Sequence, residues 1–275
     1  MAILFQDNFD SHADTCRTGG DIPAGWDAWH QDDTSTTKDT VLHYAGEISS
    51  PGRLGTGKSL KIWRHSNWPT PNNYSGGLGY TALPNGHGHI FMRYYMKIPT
   101  AMNVTYSIPD GDYIKHWRWN CTSGQIYLNF FGDGANMRTS GRMYLIPDGQ
   151  TPVDLIAAGD LDTTVWDGNW HCLELEMDLD NDIIRFYLDG SLYLQNLAVN
   201  WGGQANQDFD FMQHFSVGNI ADNYTWQNSW QAIEFDDLVI ADAYIGPLSG
   251  GTEQIIKSIE RPKTKIFPVG HRRKY

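Results

Sequence analysis

The 275-residue sequence predicts an all-β chain folded as a two-sheet antiparallel sandwich. Three observations predict it. Apolar and polar residues alternate over many short runs, the mark of half-buried strands. Gly and Pro total 40 residues, enough to punctuate those runs with turns. Charged residues are only 19%, too few for a coiled coil.

The elements follow in order. Ser59-Leu-Lys-Ile-Trp-Arg64 reads as a strand entered through the glycine turn Gly55 to Gly57. His89 to Ile98 alternates Ile90, Met92, Tyr94, Met96 and Ile98 with His89, Phe91, Arg93, Tyr95 and Lys97, and Pro99 ends it because proline cannot donate to a ladder. Lys115 to Asn120 turns either His116 and Arg118 outward, or Lys115 with Trp117 and Trp119. Gln125 to Phe130 points Ile126, Leu128 and Phe130 inward and Gln125, Tyr127 and Asn129 outward. His171 to Asp178 buries Leu173, Leu175 and Met177 and exposes Glu174, Glu176 and Asp178. Ile183 to Leu188 meets Asp189-Gly190, a hairpin signal. Phe211 to Gly218 and Glu234 to Ala241 close the series, and only Glu253 to Arg261 reads as helical. A break in mid-chain has one candidate, the Gly- and Asp-rich stretch 132–141, which reads as a long loop.

Charge divides the chain elsewhere. Residues 251–275 hold 7 Lys/Arg against 2 Asp/Glu, a net of +5 within a total of −12, which leaves −17 for the rest. The expected organisation is one sandwich domain over 1–250 and a basic extension over 251–275. An acidic body repels nucleic acid and anionic membranes, and no apolar run is long enough to span a bilayer. Cys16, Cys121 and Cys172 are far apart and read as reduced thiols, with one bridge as the alternative. The N-terminus lacks the basic and apolar regions of a signal peptide. Three routes stay open: a chain cytoplasmic at synthesis, one that leaves the cell by another route such as lysis, or one that has lost its leader; an extracellular or virion-associated place fits the last two.

Val165-Trp-Asp-Gly-Asn-Trp-His-Cys-Leu-Glu174, followed by Arg185-Phe-Tyr-Leu-Asp-Gly190, resembles a hairpin of the concanavalin A-like lectin/glucanase jelly rolls, which include laminin-G-like domains and polysaccharide lyases. Leu4 to Asp10, Gly57 to Ile62 and Phe235 to Pro247 fit the same superfamily. The resemblance implies a jelly roll over roughly residues 4–247, with a concave sheet face where sugar chains bind. It also implies a structural calcium ion between the terminal strands, for which Asp7, Asp10 and Asp237 (beside Asp236) are the candidate ligands. No motif requires a cofactor, and the histidines lack zinc-ligand spacing. Gly55-Thr-Gly-Lys-Ser59 lacks the opening glycine of a phosphate loop and begins a strand, which excludes nucleotide binding.

Two chemistries fit such a face. Glycosidases need paired carboxylates, and Glu174, Glu176 and Asp178 are suitably spaced. They form E-x-E-x-D, whereas laminarinase-like relatives carry E-x-D-x-(x)-E, so a solvated acidic face is expected instead. A lyase acting on uronates needs a charge neutraliser with a base and an acid. Arg93, Tyr95, His116, Gln125 and Tyr127 are the candidate catalytic residues for that reaction. Jelly-roll alginate lyases carry Q-x-H, and here Gln125 is followed by Ile126-Tyr127. For binding alone, the candidates are Trp63, His89, Lys97, Trp117, Arg118, Asn129, Glu174, Glu176 and His214, since aromatic rings stack on sugar faces while polar groups take the hydroxyls. The favoured expectation is a glycan-binding jelly roll, a subunit of a surface or phage-type assembly in which the basic arm contacts the acidic body of another copy. The alternatives are a polysaccharide lyase and a purely structural adhesion or capsid-decoration domain.

Overall fold

The computed structural model describes residues 1–16, 22–26, 28–31, 46–65, 76–80, 87–100, 113–121, 124–131, 140–147, 153–156, 165, 167–199, 209–214 and 230–248. Within 15–16, 28–31, 63–65, 76–80, 113–121, 124–131, 140–147, 153–156, 209–214 and 230–231, it describes the backbone alone. Of the loop expected over 132–141, residues 132–139 lie outside these residues and 140–141 open a strand; the helix over 253–261 and the basic arm also lie outside.

The described strands are β1 (Ile3–Asp7), β2 (Thr15–Cys16), β3 (Ala28–Gln31), β4 (Gly46–Ser49), β5 (Ser59–His65), β6 (Gly76–Tyr80), β7 (His89–Lys97), β8 (Tyr113–Cys121), β9 (Gly124–Phe131), β10 (Ser140–Pro147), β11 (Val153–Ile156), β12 (Trp170–Asp178), β13 (Ile183–Leu188), β14 (Ser191–Asn196), β15 (Phe209–His214) and β16 (Trp230–Ala241). They form two antiparallel sheets. The first runs β14-β13-β12-β7-β16-β5-β4-β2, with β1 added on β16; the second runs β11-β10-β9-β8-β15-β6-β3.

In the first sheet, period two divides core from polar face. Met92, Tyr94 and Met96 of β7, Leu173, Leu175 and Met177 of β12, and Leu60 and Ile62 of β5 are all 0–1% exposed. Each such side chain contributes about 1.5–3 kcal/mol by leaving water. Asp189 and Gly190 both take positive φ, 49° and 82°, and turn β13 into β14 as the Asp-Gly pair predicts. The other face of this sheet is also closed over. Residues 244–248 run across it as a strap after β16 ends, so Arg93, Tyr95, Glu174 and Glu176 are buried on the side away from the core. No described helix is long and apolar enough to cross a membrane.

In the second sheet, register sorts the residues into faces. Trp119 pairs with Ile126 and with Met212, and Leu128 pairs with Trp117 and Met143, which makes one face apolar. The alternate residues make the other face polar and aromatic.

Candidate functional site

The polar face of the second sheet carries a continuous cross-strand row, Gln213, Arg118, Tyr127, Tyr144 and Asp154 on β15, β8, β9, β10 and β11. A second row sets Asn120 beside Gln125, and a third sets Lys115, Asn129 and Arg142 side by side. Residues two apart on one strand are about 6.6 Å apart, so Gln125, Tyr127 and Asn129 extend over about 13 Å of β9.

A bulge builds this face. The register shifts between Lys115 and Trp117, leaving His116 without a partner while Lys115 pairs with Asn129 and Arg118 with Tyr127. Strict alternation allowed Lys115 or Arg118 on a given face, not both. The extra residue resets the parity and brings both cations to one face, with the tryptophans on the other.

Four sequence-derived candidates therefore share a face: Arg118, Gln125, Tyr127 and Asn129. The others do not join them. Trp117 and His214 fall in register with the apolar residues, His214 pairing with Leu78 two residues from Met212. Trp63 pairs with Ala232 in the first sheet. His89, Arg93, Tyr95, Lys97, Glu174 and Glu176 also belong to that sheet, on its strap-covered side.

Arg93 and Tyr95, expected to catalyse, are structural groups here. Arg93 is 3% exposed and donates to the carbonyls of Gly246 (3.2 Å) and Asp237 (3.4 Å). The Tyr95 hydroxyl accepts the N–H of Leu248 at 2.6 Å, and burial pushes the phenol up to about 12. Glu174 accepts the N–H groups of Ile245 and Gly246, both at 2.7 Å. Burial outweighs those bonds and raises its carboxyl to about 7. Strand parity had exposed these residues; the strap, distant in sequence, buries them. Lys97 pairs with Glu234 at 2.9 Å.

Glu176 is buried too, which alone would raise its carboxyl, but His89 and Arg185 hydrogen-bond it and their charges hold it below the usual range. An acidic solvated face is therefore not what E-x-E-x-D forms; each carboxylate is enclosed by donors.

Each calcium candidate already has hydrogen-bond donors or a cation beside it. Asp7 accepts from Phe9 N–H, Trp26 Nε1 (2.6 Å) and the His12 ring (2.7 Å). Asp10 accepts the Lys58 N–H at 2.7 Å, in a niche where a Cβ on Gly57 would collide with its carboxylate. Asp237, at φ 49°, pairs with the Arg53 guanidinium at 2.8 Å. Calcium takes six to eight oxygens, whereas Asp237 already holds a cation and Asp7 three donors. These three residues do not fit a calcium site. Beside them Asp236 is pushed up to about 7, first by burial and then by the neighbouring carboxylates of Asp237 and Asp10.

Sequence reasoning did not single out Arg142, Tyr144, Asp154 or Gln213 for the polar face. Arg142-Met-Tyr-Leu-Ile146 has the alternation of a strand. That signal lay beside the glycine-rich stretch read as a loop.

No family model and no curated protein matches the chain. Solved structures do. Cellulose induced protein, Cip1, aligns with TM-score 0.50 and 15% identity over 88% of this chain and 99% of its own. A GH131 β-glucanase catalytic domain from Podospora anserina aligns with TM-score 0.50 and 12% identity over 90% and 98%. An endo-β-1,4-glucuronan lyase from the fungus Trichoderma reesei aligns with TM-score 0.49 and 12% identity over 83% and 95%. The chain has the concanavalin A-like jelly-roll fold, an antiparallel two-sheet sandwich. At these identities the likeness speaks for the fold.

Proposed function

We infer that the chain is a carbohydrate-binding jelly roll that presents the polar face of its second sheet to a polysaccharide. The carrying observation is the register that gathers Arg118, Tyr127, Gln125 and Asn129, with Lys115, Arg142 and Tyr144, on one face. Phenols and amides meet hydroxyls and flat sugar rings, while three cations favour a polymer bearing carboxylates. The names of the aligned structures, a glucanase and a protein induced by cellulose, support the same reading.

A second reading rests on one pairing. Tyr127 stands directly across from Arg118, and the bulge residue His116 lies on the same strand. A tyrosine in register with an arginine supplies the residue types, acid–base and charge-neutralising, that β-elimination of a uronate needs. A glycan array together with ultraviolet absorbance on uronic polymers decides between the readings. Binding with a flat trace supports the lectin, and growth of an unsaturated-uronate signal supports the lyase. Neither signal would leave the purely structural domain and overturn both.

The arm over 251–275 is proposed to contact the acidic body of another copy. Rising salt then dissociates the assembly, and removing those residues leaves a folded monomer. An assembly unchanged by the deletion would overturn this.

A further inference from the structure

Three side chains from two strands converge where β7 begins and β12 ends, on the strap side of the first sheet. Register sets His89 directly opposite Asp178, with Glu176 two residues along. His89 Nε2 lies 3.2 Å from Glu176 Oε1, and His89 Nδ1 lies 3.4 Å from Asp178 Oδ2. One ligand atom from each of the three lies within 4.8 Å of the others. Both carboxylates are buried, at 5% and 3% exposure, while the imidazole keeps an edge towards solvent.

Arg185 is the arginine paired with this cluster. Arg185 neutralises Glu176 through Oε2 at 2.8 Å, and the Tyr187 hydroxyl donates to the same oxygen. Besides His89, Asp178 receives the N–H and the amide of Asn181, which are neutral donors. A third carboxylate, Asp180, packs against Gly88, where a Cβ would come within 3.0 Å of it. A buried carboxylate without a counter-charge is costly. Either a proton on the imidazole or a metal ion can supply one.

The geometry points to the ion. A four-coordinate zinc with bonds near 2.1 Å holds its ligand atoms about 3.4 Å apart, and one ligand atom from each of the three residues lies within 4.8 Å of the others, a set that small side-chain rotations can close. The ion takes one imidazole nitrogen, and a turn of the ring brings the second oxygen into reach. Arg185 and Tyr187 hold Glu176 by the oxygen that faces away from His89, and Asn181 fixes Asp178; such outer partners orient metal ligands. We propose that His89, Glu176 and Asp178 bind a divalent first-row transition ion, with an open position on the solvent side. One imidazole with two carboxylates suits zinc or manganese better than the all-oxygen ions calcium and magnesium. The ion ties the β12–β13 turn to the start of β7. This site is independent of the polar face on the second sheet.

The experiment titrates zinc into the metal-stripped full chain by calorimetry and follows thermal unfolding with and without it. The expected result is one zinc per chain and a melting temperature raised by zinc. In His89→Gln the affinity falls at least about tenfold and the melting shift disappears. His171→Gln keeps both, although His171 also lies between two carboxylates, Asp167 and Asp189. Asp178→Asn serves if His89→Gln does not fold, and it too loses the zinc response. Zinc binding weakens as pH falls, because protons compete for the imidazole. Wild-type protein with no melting shift and no stoichiometric heat would overturn the site, as would equal binding in both His89→Gln and Asp178→Asn. Nitrogen NMR showing both ring N–H protons on His89 at neutral pH with zinc present would assign the pocket to an ion pair instead.

Discussion

Arg93 and Glu174 stand opposite each other on β7 and β12 and grip the same residue of the strap. Glu174 accepts the Gly246 N–H at 2.7 Å, and Arg93 donates to the Gly246 carbonyl at 3.2 Å. One residue is thus held at both its backbone polar groups by a buried carboxyl and a buried guanidinium. Arg93 Nε has no hydrogen-bond partner of its own, so the guanidinium depends on these contacts and on nearby negative charge. Glu174→Ala frees two backbone N–H groups and leaves Arg93 without that charge. Urea unfolding should show a loss of about 3–5 kcal/mol, the usual cost of stranding a buried charge. A loss below about 1 kcal/mol would mean that the strap is not clamped.

The two arginines separate stability from binding. Arg118→Ala on the second sheet should weaken polysaccharide binding about tenfold or more, the worth of a charged hydrogen bond, with little change in the urea midpoint. Arg93→Ala should lower the midpoint and leave the affinity of the folded fraction unchanged. The reverse pattern would move the site to the first sheet.

Stability should fall as pH rises from about 6 to about 8. Asp236 is pushed up to about 7, so the folded state keeps a proton that the unfolded state has lost. Its contribution is complete below the unfolded value near 4 and disappears as pH rises through 7. Glu174, also near 7, acts in the same direction. For His171, burial works against protonation, but bonds to Asp189 and Asp167 win and raise it, adding the same sign. Glu176 is lowered and matters only in acid, where its stabilisation is lost as pH falls. Denaturant titrations with a chelator present should show a drop on the order of 1 kcal/mol per raised carboxyl across this window. Greater stability at pH 8 would contradict the assignment.

Cys172 should resist thiol reagents in the native protein. Burial pushes its thiol up to about 12, so almost none is thiolate at neutral pH. Peptide mapping after maleimide treatment should find Cys172 modified only once the chain is unfolded. Rapid labelling of the native chain would show that the first sheet opens there.

Local pattern was legible wherever one residue's neighbours decide its face. Met92, Tyr94 and Met96 could be assigned to the core, and Asp189-Gly190 to a hairpin, because period two and turn geometry are set within a few residues. The sequence also exposed the polar alternation of Gln125, Tyr127 and Asn129. It could not choose between Lys115 and Arg118, because a bulge is a register event between two strands.

The sequence by itself determined the all-β class, the hairpin turn and the residue types available to the polar face of the second sheet. Tertiary structure decided which polar residues remain available. Arg93, Tyr95 and Glu174 have the alternation of surface groups, and a strap some 70 to 150 residues further along covers them. It likewise brought His89 to Glu176, 87 residues away, and to Asp178 just beyond, although their spacing showed no metal motif. The physical reason is common to both outcomes. Alternation along a strand sets the face from which a side chain projects, and only long-range packing sets what covers that face or stands opposite it.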